Sequence, residues 1–212
     1  MILVEETNRA ELLASGGGSP DKFAHIVLRS KQKDALRDFY LTLLNGSVAY
    51  ENGLACFMRY DDEHHRVVII QLPELDPVAH RASGLEHFAF TYPTMGALLS
   101  NYVRLKDQGI LPDWCINHGF TTSIYYRDPD GNQIELQFDN MSMDEADDFM
   151  RSDYFDKNPI GVDFDPEVLL ARYERGDPLA ELVQMKSAPY PDGVEHYRPV
   201  NMTPYDADGA LL

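Results

Sequence analysis

The chain has 212 residues, 44% of them hydrophobic, and a formal net charge of −17. That length allows one large domain or two small ones with a substantial core, and the acidic balance argues against nucleic-acid binding, which needs a basic surface to displace counterions. No apolar run is long enough to span a bilayer, Met1–Ser19 lacks the basic and apolar regions of a signal peptide, and Cys56 and Cys115 show no metal-ligand spacing. A cytoplasmic protein with buried, reduced thiols and no membrane or nucleic-acid partner is the expectation.

Residues 1–21 contain Gly16–Ser19 and read as a flexible lead. Phe23–Leu28 reads as a strand with a polar residue, His25, among apolar neighbours. A helix-period stretch, Lys31–Leu44, follows, and then strand-like runs at Val48–Tyr50, Ala55–Tyr60 and Arg66–Leu72. Leu85–Phe90 is a second strand with a single imidazole, His87. It is followed by a helical stretch, Met95–Gln108, and by strands at Asp113–Asn117, Thr121–Arg127 and Gln133–Phe138, the last carrying Glu135. Each half therefore reads β-α-β-β-β. From His25 to Gln71 is 46 residues and from His87 to Glu135 is 48, so the repeat equates Gln71 with Glu135.

The rest of the chain, 141–212, holds 16 acidic and 6 basic side chains. Asp165–Arg175 reads as a capped amphipathic helix and Met143–Phe155 as another, with irregular chain after Pro189. Three segments result: a lead over 1–21, a module over 22–140 made of repeats 22–76 and 84–139, and an acidic, mostly helical extension over 141–212. The fold class is α+β, with two tandem βαβββ repeats forming a curved mixed sheet around a metal site. The apolar set Phe149, Tyr154, Phe155, Leu169, Leu170, Leu179, Leu182 and Val183 is too large to leave in water. The extension should therefore pack on the module or on a second subunit of a homo-oligomer.

Strand parity indicates which side chains meet. Gln133, Glu135 and Gln137 share one face. Asp128–Asn132 carries strong turn chemistry, so a hairpin pairing Arg127 with Gln133 would set Tyr125 opposite Glu135. Gln71 shares its face with Ile69, Val67 and His65, while His64 points away. His25, His87 and Glu135 form a 2-His-1-carboxylate set, which suits Fe(II), with Mn(II) as the other metal considered, and leaves three positions for substrate and oxidant.

The tandem pattern with polar residues on its first and last strands resembles the vicinal oxygen chelate superfamily, which spans glyoxalases, epimerases, resistance proteins and type I extradiol ring-cleaving dioxygenases. The stretch Ile116-Asn-His118, five residues, Ile124-Tyr125, two residues, Asp128-Pro129-Asp-Gly131, three residues, Glu135 is similar to the extradiol signature. His64-His65 resembles the paired histidines of 2,3-dihydroxybiphenyl dioxygenases, whose second member is the acid/base group. The resemblance covers 22–139. It implies Fe(II)-dependent ring cleavage of a catechol-type aromatic diol by dioxygen, with His25, His87 and Glu135 on the metal. In that reading His65 is the general acid/base, and Tyr125 and His118 donate hydrogen bonds to substrate oxygens. Phe57, Trp114 and Phe120 are candidate pocket walls. Two other functions on the same fold compete: a lyase or isomerase using Gln71 as a fourth ligand, and a metal-free small-molecule binder.

Overall fold

A computed structural model describes residues 18–76, 83–194 and 196. His80 and the tail beyond His196 lie outside the described residues. The first repeat is β1 (Ile26–Ser30), α1 (Lys33–Leu44), β2 (Ser47–Glu51), β3 (Ala55–Arg59) and β4 (Val67–Gln71). The second is β5 (His87–Thr91), α2 (Met95–Asp107), β6 (Trp114–Asn117), β7 (Thr121–Arg127) and β8 (Gln133–Asp139). Each repeat makes one mixed sheet. The first has the order β1-β4-β3-β2, the second β5-β8-β7-β6, and in both the first strand runs parallel to the last.

The βαβ crossover explains that shared topology. A strand, a helix packed on one face and a return place the parallel partner beside the first strand only after the antiparallel meander has been laid down. Both helices bury one stripe against the sheets: Leu36, Tyr40 and Leu43 from α1, and Leu98, Leu99, Tyr102 and Leu105 from α2. These join Ile69, Tyr126, Ile134 and Leu136 in one core. The halves also meet through Tyr40, whose hydroxyl donates to Asp128 Oδ2 at 2.9 Å, and through Gln32, whose amide donates to Pro129 O and Asp130 Oδ1 at 3.0 and 2.7 Å.

The first strand starts later than its apolar run suggests. Ile26 is the first residue paired with β4, opposite Val67, so His25 stands one residue before the ladder and is exposed. The register of the last hairpin is the one that turn chemistry predicts, with Arg127 opposite Gln133 and Tyr125 opposite Glu135.

The extension supplies α3 (Met143–Met150), α4 (Asp153–Lys157), β9 (Val162–Asp163), α5 (Pro166–Glu174) and α6 (Leu179–Leu182). The stretch expected as one helix over 143–155 is two, because the Ser152 hydroxyl accepts from Phe155 N and caps a new helix. Strand β9 pairs with β6 and becomes the fifth strand of the second sheet, Ile116 facing Asp163 and Asn117 facing Val162. Phe164, Leu169, Leu182 and Ala188 are 0–4% exposed within the common core. Burying the three large side chains contributes about 5–9 kcal/mol by area, a large share of the ~5–15 kcal/mol that holds a domain folded. Truncation after Asn140 should therefore give insoluble or unfolded protein. A soluble truncate with an unchanged melting curve would show that the extension is an appendage. Cys56 and Cys115 are both buried and free.

Candidate active site

Glu135 is central to the second sheet. It is 5% exposed, on β8, with β5 on one side and β7 on the other. From β5, His87 Nε2 reaches its Oε2 at 3.1 Å. From β7, Tyr125 stands directly opposite it. From the β6–β7 turn, His118 Nε2 lies 3.9 Å from Oε1 and 3.1 Å from the Tyr125 hydroxyl. Four of the residues singled out by sequence thus meet on one sheet face.

The electrostatics fit an ionised carboxylate. Burial pushes the Glu135 carboxyl up, but hydrogen bonds from His87 and Ser123 and the nearby His118 outweigh it and hold it below the usual range. The contact with Glu135 raises the pKa of His87 against the effect of burial. Burial and then Glu135 push the Tyr125 phenol well up, so it stays a hydrogen-bond donor. Burial lowers the pKa of His118, against the pull of Glu135.

Around this centre the wall is aromatic. The Trp114 ring packs on Tyr125 at 4.9 Å, and Phe120 stacks on His118 at 6.2 Å. Trp114, Ile116 and Tyr125 form a buried cluster separate from the main core, with Ile160 of the extension packed against it. Trp114 Nε1 donates to Asp163 Oδ1 at 2.9 Å, which ties this wall to β9.

The other predicted residues lie on the first repeat. The His65 ring is 4.5 Å from His25, 4.4 Å from His64 and 5.3 Å from Phe57. The side chain of His64 is 73% exposed, while His65 is half-buried. Gln71 ends β4 with both polar atoms engaged. Its Oε1 accepts from Lys33 N at 3.0 Å and its Nε2 donates to Lys31 O at 2.6 Å, so it braces the start of α1. Gln71→Ala should lower the melting temperature by about 4–8 °C, the loss of two hydrogen bonds worth ~1 kcal/mol each, and leave metal content unchanged. Loss of metal on this change would make Gln71 a ligand.

Two histidines and a carboxylate are a suitable donor set for a divalent iron ion. The 3.1 Å between His87 Nε2 and Glu135 Oε2 is close to the ~3 Å edge spanned by two neighbouring ligands with ~2.1 Å bonds. His25 stands apart, beside His65. Among the described residues no three His, Cys, Asp or Glu side chains converge closely enough to hold a metal within one chain.

A family model described as the glyoxalase/bleomycin resistance protein/dioxygenase superfamily matches residues 22–136. The chain belongs to that superfamily. Its relatives include biphenyl-2,3-diol 1,2-dioxygenase 2 of Rhodococcus globerulus, 46% identical over 160 residues that cover 74% of this chain and 84% of that protein. Biphenyl-2,3-diol 1,2-dioxygenase 3 of the same organism is 42% identical over 167 residues, 76% of this chain and 86% of that one. Among solved structures, lactoylglutathione lyase from Agrobacterium tumefaciens is 18% identical and matches 57% of this chain and 96% of its own with a TM-score of 0.47. A fosfomycin resistance protein from Listeria monocytogenes is 19% identical, covering 60% and 98%, with a TM-score of 0.46.

Some site residues had a signal in the sequence and others had none. Ser123 shares strand parity with Tyr125 and Glu135 and could have been found that way. Ile160 and Asp163 lie in the extension with no motif around them, and only the fold brings them to the site.

Proposed function

We propose that this protein is an extradiol dioxygenase that opens the ring of a catechol-type aromatic diol with dioxygen, using Fe(II) held by His25, His87 and Glu135. The observation that carries the reading is the contact of His87, Tyr125 and His118 with the buried Glu135 on one sheet face, in a chain related to biphenyl-2,3-diol dioxygenases. When bound, the ferrous ion supplies a common attachment point for both diol oxygens and for dioxygen.

The protein's own groups do the rest. His65 takes the second diol proton and returns it later in the reaction, a task suited to a histidine whose pKa burial lowers. The Tyr125 hydroxyl, kept protonated, donates to an oxygen on which charge develops. His118 stands behind it. Phe120, half-buried, offers flat apolar surface to a ring, and the buried Trp114 backs Tyr125 and keeps water out.

The proposed ligand set is split between the two repeats. His25 stands just ahead of β1 in the first, and the His87–Glu135 pair lies on the sheet of the second. We read the protein as a homo-oligomer in which the partner subunit's His25 closes the site, with the partner subunit's His65 beside it. Exposed apolar side chains near the first sheet support this reading: Phe23, Val27, Tyr50 and Leu54 are 76%, 44%, 58% and 60% exposed. The engagement of Gln71 with Lys31 and Lys33 weighs against the lyase or isomerase reading, which needs it on the metal.

Anaerobic metal analysis of freshly purified protein tests the function. Iron that tracks activity is the expected result. Nickel or zinc would favour the isomerase, and no metal at all the binder.

A further inference from the structure

Three separate pieces of the extension converge on the short turn that carries His118. From α3, the Phe149 ring packs so closely on Gly119 that a Cβ there would lie 2.4 Å from it, and Gly119 has φ +93°. Beyond α6, Val183 O accepts from Asn117 Nδ2 at 2.9 Å. From the loop between α4 and β9, Ile160 O lies 2.5 Å from His118 Nδ1. Asn140, at the end of the module, closes the turn from below, donating to Gly119 O at 3.0 Å.

The loop is built to hold that carbonyl in place. Asn158 is 6% exposed, and its side chain clasps Gly161 from both sides, accepting from Gly161 N at 2.8 Å and donating to Gly161 O at 3.2 Å. Gly161 has φ +110°, and a Cβ there would lie 2.2 Å from Asn117 O and 2.8 Å from His118 Cα. Only glycine lets the loop approach the His118 backbone so closely. The Ile160 side chain packs on Trp114, Ile116 and Tyr125, so the same residue lines the site face.

A carbonyl can only accept a hydrogen bond. Its approach to Nδ1 therefore places the proton of a neutral His118 on Nδ1 and leaves the Nε2 lone pair facing the Tyr125 hydroxyl at 3.1 Å.

We propose that the Asn158–Gly161 loop of the extension is a positioning element for the reaction, in which the Ile160 carbonyl fixes the ring orientation and tautomer of His118. Asn158, Ile160 and Gly161 act only through His118. The Tyr125 hydroxyl then donates to His118 Nε2, which holds the phenol oxygen in place over Glu135 until substrate arrives. The other tautomer would reverse the 3.1 Å contact: Nε2–H would donate to the phenol oxygen and the phenol proton would turn to Glu135. This inference rests on the ring-cleavage reading for its consequence but not for its geometry.

The test uses the metal-free full-length chain labelled with ¹⁵N-histidine, together with steady-state kinetics of the iron-loaded enzyme on 2,3-dihydroxybiphenyl. The wild type should show a protonated Nδ1 and a lone-pair Nε2 at His118. Asn158→Ala removes both clasping bonds without adding an atom, and Gly161→Ala forces the loop off His118. Each should give a tautomer mixture or a reversed tautomer. Each should also lower kcat by about 10-fold or more, the usual cost of losing a group that orients a functional histidine, with KM changed less than about twofold and iron content retained. A wild-type His118 protonated on Nε2 would overturn the proposal. So would variants that keep the wild-type tautomer, or that shift it with kcat unchanged. If the wild type shows the Nδ1 proton and iron yet cleaves no diol, the ring-cleavage reading is what fails, because the tautomer is read without turnover.

Discussion

Glu135→Ala is expected to leave the protein without bound iron and without ring-cleavage activity, while the melting curve shows a folded chain. The buried carboxylate is the only anionic group of the proposed set, and its removal leaves at most two neutral imidazoles for a divalent ion. His25→Ala should have the same effect for a different reason, since it removes the ligand supplied by the first repeat. The two inactive variants should rescue each other when mixed under conditions that exchange subunits. In a two-fold dimer with two equivalent sites shared across the interface, random mixing makes half the dimers mixed, and each mixed dimer has one intact site of its two. About a quarter of wild-type activity should return. Iron bound to Glu135→Ala at the wild-type level would remove Glu135 from the ligand set. Absence of rescue, with exchange verified by mass, would place the whole triad within one chain.

His65→Gln should keep iron and bind catechol but turn over about 10²–10⁴-fold more slowly, the range for loss of a general acid/base. Burial, with His25 and His64 adding to it, lowers the pKa of His65, so the neutral form that can accept a proton persists below the pH at which an ordinary histidine would charge. His64→Gln should do far less, because that side chain is 73% exposed. Its Nδ1 lies 2.6 Å from His65 Nδ1, so a mild effect through His65 orientation is expected. The comparison is turnover and substrate affinity for both variants, corrected for iron. A crippled His64→Gln beside a normal His65→Gln would exchange their roles.

The parts of the structure set by local chemistry were legible in the sequence. Alternation of period two and the Asp128–Asn132 turn fixed the β7–β8 register, and with it the meeting of Tyr125 and Glu135. The repeat located both helices to within about two residues, because each has one apolar stripe that must be buried. What failed to show was set at a distance. His25 lies outside β1 because pairing with β4 begins at Ile26, and an apolar run does not reveal where its partner starts. The two-residue β9 is too short to read, and it forms because β6 offers an open edge. The Ser152 cap that divides Met143–Phe155 into two helices was there to be read, since serine within a helical stretch favours a new N-terminus. The roles of Asn158, Ile160 and Gly161 depend wholly on the extension folding back over the His118 turn, which no local pattern encodes.

Ring cleavage itself is the central claim, and it is visible directly. Protein loaded anaerobically with Fe(II) is mixed with air-saturated buffer and a panel of aromatic diols, and absorbance in the visible range is followed alongside oxygen uptake. Rapid appearance of a yellow conjugated product with matched oxygen consumption, abolished by iron removal and restored by iron, is the predicted result. Iron-loaded, folded protein that binds the diols yet consumes no oxygen and forms no coloured product would contradict it.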